Sequence, residues 1–183
     1  TNGKRTLCNA HEGSEFFASE DFYCRPVWTA TGPDGCLYIV DMYRGIIQEG
    51  NWVKEGSFLR DRVKENGFQN NTGKGRIWRL THKDFKPGPQ PKMLDETPAQ
   101  LVAHLEHPNG WWRDTAQRLI VERGGDEAVP ALKALVADGA NELASIHALW
   151  TLEGLGQLDA TTIKAALSLK PARALAEVVR VAE

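Results

Sequence analysis

Two rhythms of apolar and polar positions divide this chain. Up to residue 86, apolar residues come in short runs separated by Gly, Pro, Asn and Asp. Beyond residue 95 they recur at intervals of three and four. The first rhythm predicts strands and turns, the second amphipathic helices. Residues 26–31 and 36–41 are nearly continuous in apolar or β-branched types, as in strands covered on both faces. Between them Gly32-Pro33-Asp34-Gly35 predicts a tight turn: Pro33 presets φ, and Gly35 accepts a positive φ. Residues 75–81 alternate charge with bulk and predict a further strand. Residues 6–9 and 15–18 are shorter strand candidates. The charged segment 48–74 reads as an insertion with a short helix over 58–65.

In the second half, Thr97-Pro98-Ala99-Gln100 is a capping box with proline at the first helical position. It opens a helix bearing Leu101, Val102 and Leu105, which His107-Pro108 ends. A second helix follows Gly110, with Trp112, Ala116, Leu119 and Ile120 on one face. Gly124-Gly125 stops it. Asp126 leads into a third helix with Leu132 and Val136, where Pro130 falls early enough to be tolerated. Helices over 142–153 and 161–168 come next, and Pro171 opens the last. The segment from Trp112 to Gly125 resembles that from Leu143 to Gly156. Their offset of about thirty residues falls in the range of helical solenoids.

Composition sharpens the division. Before the proline-rich stretch 87–91, alanine stands only at positions 10, 18 and 30; after it there are seventeen alanines and three aromatics. The expected organisation is therefore α+β in two parts. Residues 1–86 would hold antiparallel strands, 87–94 a stiff linker, and 95–183 an all-α HEAT-like helical solenoid. A net charge of -2 over 183 residues leaves no electrostatic footprint for nucleic acid. No apolar stretch is long enough for a membrane span, and no signal peptide opens the segment, which reads as a piece of something longer. Cys8, Cys24 and Cys36 are an odd number and include no C-x-x-C or haem-attachment motif. With His11 they could be assembled into a zinc set, but the ligand spacing lacks a tight second pair. Cys24 and Cys36 read better as small hydrophobes in strands, and no metal is expected.

The hairpin itself selects candidate chemistry. With the turn at 32–35 at one end, antiparallel pairing brings Arg25, Asp41, Tyr43 and Arg44 together at the other. Two arginines there suit carboxylate groups, and Asp41 suits either a cation or an ion pair with Arg25. Tyr43 also suits a packing role. His11 reads as an exposed residue, His147 as a core histidine, and Trp111 and Trp112 as repeat packing with one ring buried and one partly exposed.

Two stretches together carry a resemblance. One runs from Arg25-Pro26-Val27-Trp28 through Asp41-Met42-Tyr43-Arg44 to Gly75-Arg76-Ile77-Trp78-Arg79. The other runs from His107-Pro108-Asn109-Gly110-Trp111-Trp112 to His147-Ala148-Leu149-Trp150. The chain resembles the large membrane-bound-dehydrogenase-type proteins of planctomycetes and verrucomicrobia over about residues 20–160. In that family a propeller similar to soluble quinoprotein sugar dehydrogenases precedes HEAT-like repeats and often a c-type haem domain. By this resemblance residues 1–86 would be a β-propeller blade fragment, the last blade with its insertion at 48–74. The resemblance implies a periplasmic or secreted parent, a sugar or alcohol dehydrogenase-like protein passing electrons towards a c-type haem. It also implies pyrroloquinoline quinone with calcium in that parent, with Arg25, Asp41, Tyr43 and Arg44 at the propeller rim. The implied partners are the remaining blades and the haem domain, and a protein partner on the helical repeats. This segment alone holds too few strands for a propeller, so it is expected to carry no cofactor and to oxidise nothing itself. A non-catalytic interaction module is the alternative.

Overall fold

A computed structural model describes residues 8–47, 53–169 and 172–182. The layout is α+β: a small antiparallel three-stranded sheet and seven α-helices among the described residues. The strands are β1 (Pro26–Thr31), β2 (Leu37–Asp41) and β3 (Arg76–Leu80), in the order β1-β2-β3. Between β2 and β3 lies α1 (Phe58–Glu65), where the charged segment predicts it; Ser57 caps it by accepting from the Arg60 N–H. Residues 15–18 form no strand, and neither do 8–9; residues 6–7 lie outside the described set.

The described residues up to Ala30 and from Tyr38 to Leu80 form one compact unit. Thr31–Leu37 and the residues from Thr81 onward form a second. The hairpin turn thus groups with the helices. Its backbone closes with Gly35 N–H donating to Gly32 O, and Gly35 has φ +81°, the left-handed region that glycine enters without a Cβ penalty. In the same unit the Asn109 side-chain amide donates to Gly32 O at 2.9 Å and the Trp112 indole to Pro33 O at 2.8 Å.

Within the first unit, strand β1 departs from expectation. A strand covered on both faces is expected, yet all six of its residues are exposed, with Val27 48% and Trp28 69% accessible. The reason is positional. It is the outer strand of the sheet, paired on one side only.

The helices of the second unit are α2 (Pro98–Leu101), α3 (Gly110–Glu122), α4 (Val129–Asp138), α5 (Glu142–Gly154), α6 (Ala160–Ala166) and α7 (Ala172–Val181). The capping box at Thr97 and Gln100 is formed in both directions. The helix it opens is shorter than expected, because residues Val102–Glu106 tighten into a 3₁₀ turn. Pro108 bars its predecessor from helical backbone, and His107 accordingly has ψ 136°. Helix α3 buries Trp112, Ala116, Leu119 and Ile120, the face its period predicts. Asn109, Asn141 and Asp159 cap α3, α5 and α6 by accepting backbone N–H groups. Gly139 ends α4 with φ +61°, and a Cβ there would sit 2.5 Å from Leu169. Residues Ala172–Val181 form the last helix; Pro171 lies outside the described residues.

Helix α5 is the centre of this unit. It packs against α3, α4 and α7, and Ala144, Ile146, Ala148, Leu149 and Leu152 are all buried on it. Apolar residues therefore surround the helix rather than forming one stripe, as in any helix enclosed on several sides. Its two buried hydroxyls turn back onto backbone: Ser145 donates to Leu135 O and Thr151 to His147 O. His147 is mostly buried, its Nδ1 2.7 Å from the Gln117 amide oxygen. Burial lowers its pKa, against the opposing pull of Asp114. It is a satisfied packing residue.

Candidate functional site

The four residues selected from the hairpin come together at one end of β1 and β2. Arg25 and Met42 pair there, with Met42 N–H donating to Arg25 O at 2.9 Å. Asp41 ends β2 with 1% of its surface accessible, so its charge has to be met by donors from the protein. Its Oδ1 accepts the backbone N–H of Arg25 at 2.7 Å and that of Tyr43 at 2.8 Å. Its Oδ2 accepts the Trp78 indole N–H at 3.0 Å. Burial pushes this carboxyl up. The donors at Arg25, Trp78 and Tyr43, with the Cys24 thiol, outweigh burial and hold it below the ordinary carboxylate range. Burial and the Asp41 charge in turn raise the Cys24 thiol.

The side chains around it are also engaged. The Arg25 guanidinium makes no ion pair with Asp41; it donates to the carbonyls of Phe22 and Cys24. Tyr43 has φ 45°, unusual for a residue with a side chain. Asp41 holds its N–H, and the Asn71 amide donates to its carbonyl at 2.8 Å. Its hydroxyl donates to Asp21 at 2.7 Å, and the Arg76 guanidinium lies 3.3 Å from its ring centre. That hydrogen bond raises the Tyr43 hydroxyl and lowers the Asp21 carboxyl. Arg44 is exposed, its Nε donating to Ile46 O at 3.0 Å. Beyond it Gly45 is buried against backbone: a Cβ would lie 2.4 Å from the Phe68 carbonyl oxygen. Only glycine allows this approach.

Both Asp41 oxygens accept N–H donors, and Nη1 of Arg25 donates to two carbonyls. Of the four residues, Arg44 is the exposed cation. Among the described residues no group of three or more His, Cys, Asp or Glu is placed to hold a metal ion. Cys8 is exposed, Cys24 half-buried and Cys36 buried, all as free thiols.

The sequence pattern pointed to Asp41 but missed Trp78, Asn71, Asp21 and Arg76. The visible signal for Trp78 was its place in an alternating strand. Nothing in that pattern says which carboxylate its indole meets, 37 positions away.

Residues 2–84 match a domain of unknown function (DUF7133). No curated protein and no solved structure matches the chain. No helix among the described residues is long and apolar enough to cross a membrane.

Proposed function

We propose that this chain is the end of a β-propeller similar to soluble quinoprotein sugar dehydrogenases, continued into HEAT-like repeats, and that its own task is docking rather than oxidation. Strand β1 carries this reading. It has the composition of a covered strand, yet its six residues are exposed at the outer edge of a three-stranded sheet. Open edges of this kind pair with further strands, and a propeller blade has four. The helical unit supports the second part. Helices α3, α5 and α7 pack in succession, and so do α4 and α6. Helical repeats bury one another's apolar faces by such stacking. In this reading the electron path towards a c-type haem, and any quinone with calcium, belong to other parts of a periplasmic or secreted parent.

The test is hydrogen exchange of β1. In the chain alone, β1 amides should exchange fast and the protein should self-associate with rising concentration. Trp28→Lys and Thr29→Pro should each suppress that association. In the complete parent the same amides should be protected. A chain that stays monomeric, with β1 exchanging equally fast in both contexts, would overturn the reading.

Arg44 is the residue we place at the mouth of such a propeller. Arg44→Ala in the parent should weaken binding of an anionic ligand by about one to two orders of magnitude, the loss of one charge-assisted hydrogen bond. Stability should change by less than about 0.5 kcal/mol, because the side chain is exposed. Titration calorimetry and a thermal melt separate the two effects. Unchanged binding with a lowered melting temperature would make Arg44 structural.

A further inference from the structure

A second site lies within the helical unit, away from the strand-end residues and independent of the propeller reading. Residues 91–95 and one face of α3 bound a cavity of about 390 Å³. That is within the size range of small-ligand clefts, which runs from about 300 to 1,000 Å³. The face of α3 is Trp111, Thr115, Arg118 and Leu119, spaced i, i+4, i+7 and i+8 so that all four stand on one side.

The opposite wall is fixed rather than loose. Met93 is 3% accessible and joins the apolar core. The Arg123 guanidinium donates to the carbonyls of Met93 at 3.3 Å, Leu94 at 3.1 Å and Glu96. Met93, Leu119 and the half-buried Trp111 ring give the cavity an apolar lining. Trp111 is itself braced edge-on by Trp112, ring centres 6.0 Å apart.

Two polar groups of the lining are uncommitted. The Thr115 hydroxyl and the Lys92 ammonium have no hydrogen-bond or ion-pair partner among the described residues. Arg118 is 3.8 Å from Glu122, and both side chains are more than half exposed, so that pair holds the guanidinium weakly. Two cations and one acid, Asp95, line the cavity, and Glu122 stands beside Arg118 outside the lining. An aromatic wall, a fixed apolar floor and cations at the rim have one shared preference.

We propose that this cavity binds a small aromatic anion. Its ring would lie against Trp111 and Leu119, and its charged group would take the Arg118 fork and Lys92. Thr115 stands between the two regions with a hydroxyl to donate.

The probe is 8-anilinonaphthalene-1-sulfonate, titrated into the full chain, with its uncharged counterpart N-phenyl-1-naphthylamine beside it. The expected result is one saturable site that quenches tryptophan emission, with the neutral compound bound about tenfold more weakly. Thr115→Trp, which fills the cavity, should abolish that site. Arg118→Glu should weaken it by at least about tenfold. Arg118 is exposed, so this variant keeps the test open even if Thr115→Trp fails to give a native helical circular-dichroism melt. Equal affinity for the two compounds would overturn the proposal. So would sulfonate binding that survives Arg118→Glu unchanged.

Discussion

Asp41→Ala should unfold the sheet-bearing unit, or destabilise it by about 3–5 kcal/mol. The substitution leaves the N–H groups of Arg25, Tyr43 and Trp78 without their acceptor at a place closed to water. Hydrogen bonds to a charged group are worth about 1.5–3 kcal/mol each, and orphaned buried donors add their own desolvation cost. Asp41→Asn should fall between. One amide oxygen can serve one side of the network, but the amide nitrogen then meets a donor on the other. Urea unfolding followed by near-ultraviolet circular dichroism measures the loss. A change below about 1 kcal/mol for the alanine variant would show that the network is incidental.

The same carboxylate sets a pH dependence. Its folded pKa lies below its ordinary value, so its contribution is present above the unfolded value of about 3.9 and is lost as pH falls through the folded one. Acid unfolding of wild type should begin below about pH 4, and Asp41→Asn should flatten it.

The second large effect is expected at Trp112. It is 7% accessible, lies in the helical core, and its indole donates to Pro33 O in the hairpin turn. Trp112→Ala should cost about 3–5 kcal/mol, the range for truncating a buried aromatic. Trp112→Phe keeps much of the ring volume and gives up the hydrogen bond, so about 1 kcal/mol beyond its packing change is expected. Far-ultraviolet melts read both. Equal losses in the two variants would place the whole effect in the polar contact rather than in packing.

Those two residues also mark what the amino-acid pattern could and could not convey. The face of α3 that carries Trp112 follows from local spacing alone. So do α1 over Phe58–Glu65 and the capping box at Thr97, because the interactions that make them lie within a turn or two of chain. Asp41 was visible as a charged residue at a strand end. Its partners were not, since two of its three N–H donors are backbone groups and the third comes from β3. Arg25 shows the same limit: an ion pair with Asp41 is the natural expectation, but the carboxylate takes its main-chain N–H and the guanidinium turns to nearby carbonyls. Strand β1 was legible as a strand and illegible as an exposed one. Composition records what a strand is suited to pack against, not whether that cover lies within the same unit.

The enclosure of α5 by α3, α4 and α7 bears on how the helical unit comes apart. A helix at the periphery can fray while the rest holds, so its amides exchange through small local openings. Helix α5 has no such route. Exposing Ala148, Leu149 or Leu152 means displacing at least one neighbour, and with it the cover that neighbour shares with the remaining helices. Its amides should therefore be the slowest in the unit to exchange, and their protection should equal the free energy of unfolding the helical unit as a whole.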